Sequence, residues 1–309
     1  MLFSFMASEI KITFLGTSAS IPSSKRNHTG ILITYKSENI LVDCGEGIQR
    51  QFRRARLNPG NLSKILITHW HGDHVFGLPG LFQTLALNEY NKNMQIFGPG
   101  NTKYFMKNFI HTFIPVFKFE ADVKELNKKG IFFENDDFYL ESFEVKHGGF
   151  PTNAYNFVLK DRRRIDKKKL KKFGLPEGKH LADLRKGKNI IYEGKKYLAK
   201  DLTYVEKGKK ISIVLDTVYF EKLKDFVKGA DLFICESSFG DDLKDMAKEH
   251  GHLTSGQAGM IAKKAKAKKL ILTHISQRYE PKLKELEGYA KKYFKEVSVA
   301  KDLDKIVIK

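Results

Sequence analysis

The chain has 309 residues, of which 41% are hydrophobic and 29% charged, so it can bury a sizeable core as a soluble globular protein. No apolar stretch approaches the roughly 20 residues that span a bilayer, and the opening MLFSFM lacks the basic start of a secretory signal. The two cysteines, Cys44 and Cys235, have no CxxC spacing, which favours a reducing compartment over a disulfide framework. We therefore expect a cytoplasmic protein with no membrane partner.

The positive charge is concentrated in one segment. The chain contains 55 Lys and Arg against 36 Asp and Glu, a net charge of +19. Residues 160–210 contain 19 basic and 7 acidic residues, so this segment carries +12 of the total. An excess of this size indicates a polyanionic partner.

The first half of the chain alternates short β-rich runs with turns. Strands are predicted at IKITFLG, TGILITY, NILVDCG, SKILITH and FYLESFEVKH, ending at His147. A helix is predicted after DCGEG, with Ile48, Phe52 and Ala55 on one face and an end at Pro59-Gly60. A second helix is predicted from Leu78 to Asn91.

The lysine-rich segment of about 160–210 interrupts this pattern and is predicted to be an exposed insertion. After it, KKISIVLDT, DLFICESSF, KLILTH and KIVIK resume the strand pattern, with a helix predicted across TSGQAGMIAKKAKAKK. Interleaved strands and helices indicate an α/β or α+β class with layered sheets.

The motif THWHGDH, residues 68–74, places three histidines and an aspartate directly after an apolar strand. His69 and His71 are two residues apart and can leave the chain on one side, while Asp73 and His74 follow a turn at Gly72. Imidazole is a common zinc ligand, so this loop can serve two metal ions. A histidine-bearing surface loop is the alternative, which this spacing disfavours.

Three more ligand-type residues end apolar strands: His147, Asp216 and His274. Sheets present functional side chains to a shared crevice at such ends. Each residue by itself is more often a hydrogen-bonded strand end. As a set they favour a dinuclear metal site.

These motifs resemble those of the metallo-β-lactamase superfamily, whose THxHxDH signature matches Thr68 to His74. Within it, four further blocks are similar to the ribonuclease Z family of tRNA 3′-processing endonucleases. The blocks are FLGTSASIPSSKRN, DCGEGIQRQ, HLTSGQAG and LTHISQRY, and they extend over almost the whole chain.

The resemblance implies an α+β fold, a four-layer αββα sandwich, in a single domain of residues 1–309 with an inserted basic exosite arm at about 160–210. It implies two Zn²⁺ ions per chain that activate a water molecule to remove the 3′ trailer from precursor tRNA, leaving a 3′-hydroxyl. It also implies a homodimer. Carried over by motif, one zinc is held by His69, His71 and His147, the other by Asp73, His74 and His274, and Asp216 bridges them.

Three residues are candidates for catalysis beside the metals. Asp73 can orient the attacking water and accept its proton, the role that the family gives to the matching residue. His252, in a loop before a helix and outside the ligand set, is predicted to protonate the departing 3′-oxygen, with a loop histidine of no role or an eighth metal contact as the alternatives. Glu236 could orient His252 or be an exposed strand end, and Asp43 and Glu46 could hydrogen-bond the ligand histidines.

Substrate contacts are expected at two places. Lys25 and Arg26 resemble a family loop at the tRNA end, with solvated charge as the alternative. GTSAS, at 16–20, could cradle a phosphate, although an ordinary turn is the commoner use of such a loop. In the arm the candidate substrate-binding residues are Arg162, Arg163, Arg164, Lys167, Lys168, Lys169, Lys171, Lys172 and Lys179.

Three other functions are alternatives. A small-molecule hydrolase of the same superfamily, such as a cyclic-nucleotide phosphodiesterase or a thioester or lactam hydrolase, needs the same metals but no basic arm. A nucleic-acid-binding protein with a defunct metal site would have lost ligands, and all seven are present. A relative acting on mRNA ends would need an added domain, for which 309 residues leave little space.

Overall fold

The computed structural model describes residues 9–113 and 121–309. Its strands are β1 Ile10–Gly16, β2 Gly30–Tyr35, β3 Glu38–Val42, β4 Lys64–Leu66, β5 Met94–Gly98, β6 Ala121–Glu125, β7 Gly130–Glu134, β8 Phe138–His147, β9 Phe150–Leu159, β10 Arg162–Ile165, β11 Ile190–Tyr192, β12 Lys195–Tyr197, β13 Thr203–Glu206, β14 Lys210–Val214, β15 Leu232–Glu236, β16 Leu270–Thr273, β17 Val297–Val299 and β18 Lys305–Ile308. Its helices are α1 Ile48–Arg54, α2 Gly72–Val75, α3 Leu78–Leu87, α4 Thr102–Phe113, α5 Lys167–Phe173, α6 Leu181–Arg185, α7 Ala199–Leu202, α8 Leu223–Val227, α9 Lys244–Glu249, α10 Ser255–Lys264 and α11 Leu283–Lys291.

Two seven-stranded sheets contain most of the strands. Their orders are β18-β1-β2-β3-β4-β5-β6 and β17-β16-β15-β14-β9-β8-β7. Strands β3 to β6 run parallel to one another, as do β14 to β17. Parallel strands are covered on both faces, which explains why every residue of β4 (KIL) and β15 (LFICE) is buried. Their carboxyl ends lie along one edge of each sheet.

The sheets pack on each other and each carries helices on its outer face. Between the sheets, the ring of Tyr35 lies 5.9 Å from that of Phe157, and the ring of Phe97 lies 4.8 Å from that of Phe132. One outer core joins the first sheet to α1, α3 and α4, and another joins the second sheet to α8, α10 and α11. The predicted αββα sandwich is confirmed. None of the helices in these described ranges is long and apolar enough to cross a membrane.

The described chain divides into two compact units. Residues 134–139 and 158–209 form the smaller unit, and the remaining described residues form the larger one. The smaller unit has its own core, which includes Leu170, Leu184 and Leu202, and two antiparallel pairs, β10 with β13 and β11 with β12. Its longer part coincides in sequence with the predicted insertion. Its role as an arm of a single domain remains a prediction.

Helix boundaries differ modestly from those predicted. The helix predicted to extend to Asn91 ends at Leu87, with Asn88 as its C-cap. The helix predicted over 254–269 begins after Thr254, which forms a capping box with Gln257, and ends at Lys264. The lysines beyond it therefore belong to the turn that leads into β16.

We expect Gly259 to be required for the packing of α10 against α11. A Cβ placed on Gly259 would lie 2.5 Å from the carbonyl oxygen of Ala290, so the two helices would have to separate. Gly259→Ala should lower the free energy of unfolding by about 1–3 kcal/mol, although alanine favours the helix itself.

Gly288 on α11 is the matched control, because a Cβ there meets no atom within 4 Å. Gly288→Ala should raise the free energy of unfolding by up to about 1 kcal/mol. Urea denaturation of both variants measures the difference, and equal stabilisation by the two would show that the helix contact is not limiting.

Candidate active site

Four segments of the larger unit bring the predicted metal ligands together. The Thr68–His74 loop follows β4 and enters α2, His147 ends β8, Asp216 follows β14 and His274 follows β16. Four of the seven predicted ligands, His71, Asp73, His147 and Asp216, line a cavity of about 810 Å³. The other three lie beneath it and are fully buried.

One ligand group consists of His69, His71, His147 and Asp216, whose donor atoms all lie within 4.8 Å of one another. Nδ1 of His71 is 2.9 Å from Nε2 of His69 and 3.2 Å from Nε2 of His147. Oδ2 of Asp216 is 3.7 Å from Nε2 of His69 and 3.8 Å from Nε2 of His147. Ligand atoms about 2.0 Å from a tetrahedral ion are roughly 3.3 Å apart, so these separations suit one divalent ion.

A second group consists of Asp73, His74 and His274. The Nε2 atoms of the two histidines are 3.1 Å apart, and Oδ2 of Asp73 is 3.4 Å from Nε2 of His74 and 3.3 Å from Nε2 of His274. Oδ2 of Asp216 also lies 3.5 Å from Nε2 of His74. The same carboxylate oxygen thus faces both groups, in the position that a bridging ligand would take.

Asp43 fixes the orientation of His74. Its carboxylate accepts hydrogen bonds from the amide and the hydroxyl of Thr68, both at 2.7 Å, and from Nδ1 of His74, also at 2.7 Å. Because the proton on Nδ1 is directed at Asp43, Nε2 is the nitrogen that faces the other ligands. Glu46, the second acid of DCGEG, instead lies 3.9 Å from His28 and is largely exposed.

His147 and His274 are held in the same manner. Nδ1 of His147 donates to the carbonyl oxygen of Gly251 at 2.9 Å. Nδ1 of His274 donates to Oγ of Ser238 at 2.9 Å, because the Ser238 hydroxyl itself donates to Glu236. Each ring therefore presents Nε2 to the shared centre. Imidazole nitrogen and carboxylate oxygen together form the donor set of a divalent metal ion, and the residues present fit that group.

The buried carboxylates of this centre are stabilised by nearby positive charge. Burial alone would raise the pKa of Asp216, but His274 and His74 hold it well below its usual range. Oδ1 of Asp216 is buried and accepts no hydrogen bond within the described part of the chain. Burial alone would lower the pKa of His74, but the carboxylates of Asp73 and Asp216 raise it well above its usual value. A metal ion and a proton thus compete for this centre.

Two residues of the site have backbone in the left-handed region, which favours glycine. The φ angle is 58° at Asp43 and 54° at His274. Such conformations cost about 1–3 kcal/mol each and persist where the surroundings impose them. At His274 the imposing contact is the hydrogen bond from the next amide, of Ile275, to the carbonyl oxygen of Thr17.

His252 and Glu236 form a hydrogen-bonded pair beside the ligands. Nδ1 of His252 lies 3.0 Å from Oε2 of Glu236, and Oε1 of Glu236 accepts the amide of Thr217 at 2.8 Å. Glu236 is fully buried, so it is not an exposed strand end. Burial alone would lower the pKa of His252, but the Glu236 carboxylate raises it to about 9. His252 lines the cavity, and its role in catalysis remains a prediction.

The idea that GTSAS cradles a phosphate is wrong, because the amides of this loop are already used. The amides of Thr17 and Ser18 donate to Asn27 and that of Ala19 donates to Ile275. The amide of Ser20 donates to Oδ2 of Asp73 at 2.9 Å. The loop holds a predicted ligand in place. No local sequence pattern indicated this contact, since the two residues are 53 positions apart.

Arg26 has a structural role that the sequence analysis did not predict. It is 4% exposed, and its Nη1 donates to Oγ1 of Thr17 at 2.6 Å and to the carbonyl oxygen of Ala300 at 2.8 Å. Arg26 nevertheless lines a cavity with Lys25, so its contact with the substrate stays a prediction. Lys25 is exposed and lines a cavity of about 170 Å³ with Arg50 and Arg54.

The predicted substrate-binding residues of the smaller unit fall into two sets. Arg162 pairs with Asp137, Arg163 donates to Thr203 and Arg164 pairs with Glu206. These arginines are half-buried and their hydrogen bonds lie within the β10–β13 region, and their contact with RNA stays a prediction. The exposed set is Lys167, Lys168, Lys169, Lys171, Lys172 and Lys179.

Sequence reasoning missed several residues of the site. Ser238 lies two positions after Glu236 and hydrogen-bonds both that carboxylate and His274, a spacing consistent with one face of an extended chain. Phe150 and Ile21 line the cavity with exposed apolar side chains. A single apolar residue in a loop or at the start of a strand has no pattern from which its place in a site could be predicted.

We expect Asp43→Asn to weaken metal binding about 10- to 100-fold, because an amide cannot accept all three hydrogen bonds that orient Thr68 and His74. Competition with a chromogenic chelator measures the affinity. Glu46→Gln is the matched control in the same motif and should bind metal as the wild type does. Equal affinities for all three proteins would contradict the orienting role of Asp43.

Comparisons with known proteins agree over the length of the chain. The chain is 36% identical to ribonuclease Z of Nanoarchaeum equitans over 298 residues, covering 96% of this chain and 93% of that protein. It is 38% identical to ribonuclease Z of Methanocaldococcus jannaschii over 280 residues, covering 88% and 87%. A family model described as anti-Pycsar protein Apyc1 matches residues 10–108, less than half of the chain.

Solved structures give the same result. The short form of human tRNase Z superposes with a TM-score of 0.70 at 28% identity, covering 96% of this chain and 98% of that one. The metallo-β-lactamase fold protein YhfI of Bacillus subtilis superposes with a TM-score of 0.71 at 18% identity, which supports the fold alone. Since the identity with full-length relatives exceeds 30% over almost the entire sequence, this chain belongs to the ribonuclease Z family, with the metallo-β-lactamase fold.

Proposed function

We propose that this protein is a zinc-dependent endoribonuclease that removes the 3′ trailer from precursor tRNA and leaves a tRNA 3′-hydroxyl. The observation that carries the proposal is the pair of ligand groups, one containing Asp216 and the other lying against the same carboxylate oxygen, in a chain related to ribonuclease Z along almost all of its length. Phosphodiester hydrolysis at such a centre needs no nucleophilic side chain, because water is the nucleophile.

The tested reaction is the cleavage of a 3′-extended precursor tRNA, compared with a generic phosphodiester, each with and without a chelator. Cleavage of the precursor at the end of the acceptor stem, abolished by the chelator, is the expected result. Hydrolysis of the small diester alone would favour a small-molecule phosphodiesterase. Binding of tRNA without any cleavage would favour a nucleic-acid-binding protein.

In the reaction, the oxygen of a water molecule bonds to phosphorus and the bond from phosphorus to the 3′-oxygen breaks. Metal ions bound to the seven ligands would lower the pKa of that water and neutralise the phosphate charge. The Asp73 carboxylate, held by the amide of Ser20, accepts the proton of the water. His252 donates a proton to the departing 3′-oxygen. Because Nδ1 of His252 is hydrogen-bonded to Glu236, the proton that is transferred is the one on Nε2 of His252.

We propose that each chain binds two zinc ions. Seven donor residues exceed what one tetrahedral ion uses, and the two groups meet at one oxygen of Asp216. The seven donor residues are five histidines and two aspartates, which lie in the Thr68–His74 loop and at the ends of β8, β14 and β16. Nitrogen-rich sites of this kind favour zinc over magnesium or calcium.

The exposed lysines of the smaller unit are proposed to bind the body of the tRNA. Asp166 caps α5, Gly174 ends it in a left-handed conformation, and Leu170 is buried in the local core. With Leu170 inside, Lys168, Lys169, Lys171 and Lys172 are exposed around the helix. Lysines presented in this way bind phosphates without reading sequence.

A homodimer in the cytoplasm is the proposed state of the protein. Large apolar side chains are exposed on α3 and α4, with Leu87 84% and Tyr104 64% accessible. Exposed apolar surface of this kind is often covered by a partner chain. Light scattering on the purified protein decides the state, because a monomer at micromolar concentration would rule out a stable dimer.

Asp216→Ala should weaken both metal positions, since one oxygen of this carboxylate faces both groups. Elemental analysis of the fully metallated wild type should give two zinc ions per chain, and the variant should retain fewer than one after dialysis. A wild-type stoichiometry of one or less would defeat the dinuclear proposal.

Replacing Lys168, Lys169, Lys171 and Lys172 by Gln should raise KM for precursor tRNA and reduce the dependence of binding on salt, since the slope falls by roughly 0.7–0.9 for each lost phosphate contact. Hydrolysis of a small phosphodiester should be unchanged. The matched control replaces four exposed lysines near α11, which are Lys284, Lys291, Lys292 and Lys295. If both quadruple variants raise KM by the same factor, the affinity depends on the net charge of the protein and not on the lysines of α5.

His252→Ala should lower kcat on precursor tRNA about 10²- to 10⁴-fold while leaving zinc content and KM nearly unchanged. Activity on a diester with a nitrophenolate leaving group should be retained, because that group departs without a proton. An equal loss on both substrates would assign His252 to metal binding or to folding.

A further inference from the structure

Two large apolar side chains are exposed inside a cavity that is otherwise lined mainly by imidazoles, carboxylates and other polar groups. Phe150 is 52% exposed and Ile21 is 55% exposed, and both line the same cavity as His71 and Asp216. A half-exposed phenylalanine ring leaves apolar surface in water that would be more stable if covered. A molecule bound in this cavity could therefore cover the ring and gain stability from the contact.

Phe150 lies directly against a proposed metal ligand. The centroid of its ring is 4.5 Å from that of His71, with the planes at 68°. It follows Gly148 and Gly149, whose φ angles of 52° and 80° form the turn between β8 and β9. The turn thus directs an aromatic ring to the edge of the site where the scissile phosphate would bind.

We propose that Phe150 stacks on a nucleobase that flanks the scissile phosphate, so that it positions the RNA for cleavage; this inference rests on the proposed endoribonuclease function. The phosphate is charged and gains nothing from an apolar ring, and the ribose offers the ring a smaller apolar surface than a base does. A nucleobase presents a planar face of matching size, and aromatic stacking is the usual way in which proteins hold unpaired bases.

Shielding of His71 is the competing explanation for the ring. A side chain that only protects a ligand from water would itself be well packed, whereas half of the Phe150 surface remains accessible and His71 is not fully covered. The two explanations differ in what they require of the substrate. Stacking depends on the presence of a base, whereas shielding of the ligand does not.

The experiment measures kcat/KM of wild type, Phe150→Ala and Phe150→Trp on three precursor tRNAs. One substrate is intact, one lacks the base 5′ to the cleaved bond, and one lacks the base 3′ to it. Phe150→Ala should lose roughly 5- to 150-fold on the intact substrate, the range for one stacked base, and Phe150→Trp should recover most of it. Tyr293→Ala, at a 40% exposed aromatic outside the cavity, is the control and should lose nothing.

The proposal holds if removing one of the two flanking bases lowers wild-type activity and abolishes the difference between wild type and Phe150→Ala. It fails if Phe150→Ala loses the same factor on all three substrates, or if its zinc content falls, because either result assigns Phe150 to the metal site. If wild type cleaves none of the substrates, the proposed function fails instead. The side of the bond on which base removal abolishes the difference identifies the stacked nucleotide.

Discussion

The site depends on the burial of a carboxylate among imidazole rings. Asp216 is 2% exposed, and one of its oxygens accepts no hydrogen bond within the described part of the chain. Removing a carboxylate from water costs several kcal/mol unless positive charge compensates it. The neighbouring histidines supply that charge only by taking up protons, which accounts for the raised pKa of His74. A divalent ion supplies it without any protonation, and the four strand ends and loops that meet at Asp216 are the scaffold that holds the donors for such an ion.

Hydrogen bonds to the outer nitrogens of the predicted ligand histidines set the orientation of their rings. Asp43, Ser238 and Gly251 each accept the proton of one ligand histidine on the side away from the centre. They thereby select the tautomer in which Nε2 faces the metal position, and they hold each ring at one angle. Glu236 connects this layer to the cavity, since it accepts a hydrogen bond from Ser238 and also lies 3.0 Å from His252. A change at one buried carboxylate is therefore transmitted both to a ligand and to the candidate proton donor.

Most of the residues proposed to bind RNA and the residues proposed for catalysis lie in different units of the chain. The ligands, Glu236 and His252 all lie in the larger unit, whereas most of the exposed lysines of residues 160–210 lie in the smaller one. Phosphate contacts supply affinity for any RNA, so they need only a stable local fold, such as the leucine core behind α5. The exposed ring of Phe150 adds a contact of another kind, apolar and short in range, beside the ligand His71. Together these contacts would separate long-range capture of the substrate from its placement at the metals.

The sequence by itself determined a layered class of interleaved strands and helices, the THxHxDH loop and the ligand types at the ends of β8, β14 and β16, because strand periodicity and ligand spacing are local properties of the chain. The α+β sandwich in particular was implied by the family resemblance. The sequence also indicated the basic insertion, since charge is counted without knowledge of the fold. Only the tertiary structure decided which polar groups are already in use. Arg26 resembled a substrate contact and is buried against Thr17 and Ala300, and the amides of residues 17–20 hold other parts of the fold, including Asp73. Hydrogen-bond partners that are tens or hundreds of residues apart are brought together by sheet packing, and no local pattern specifies them.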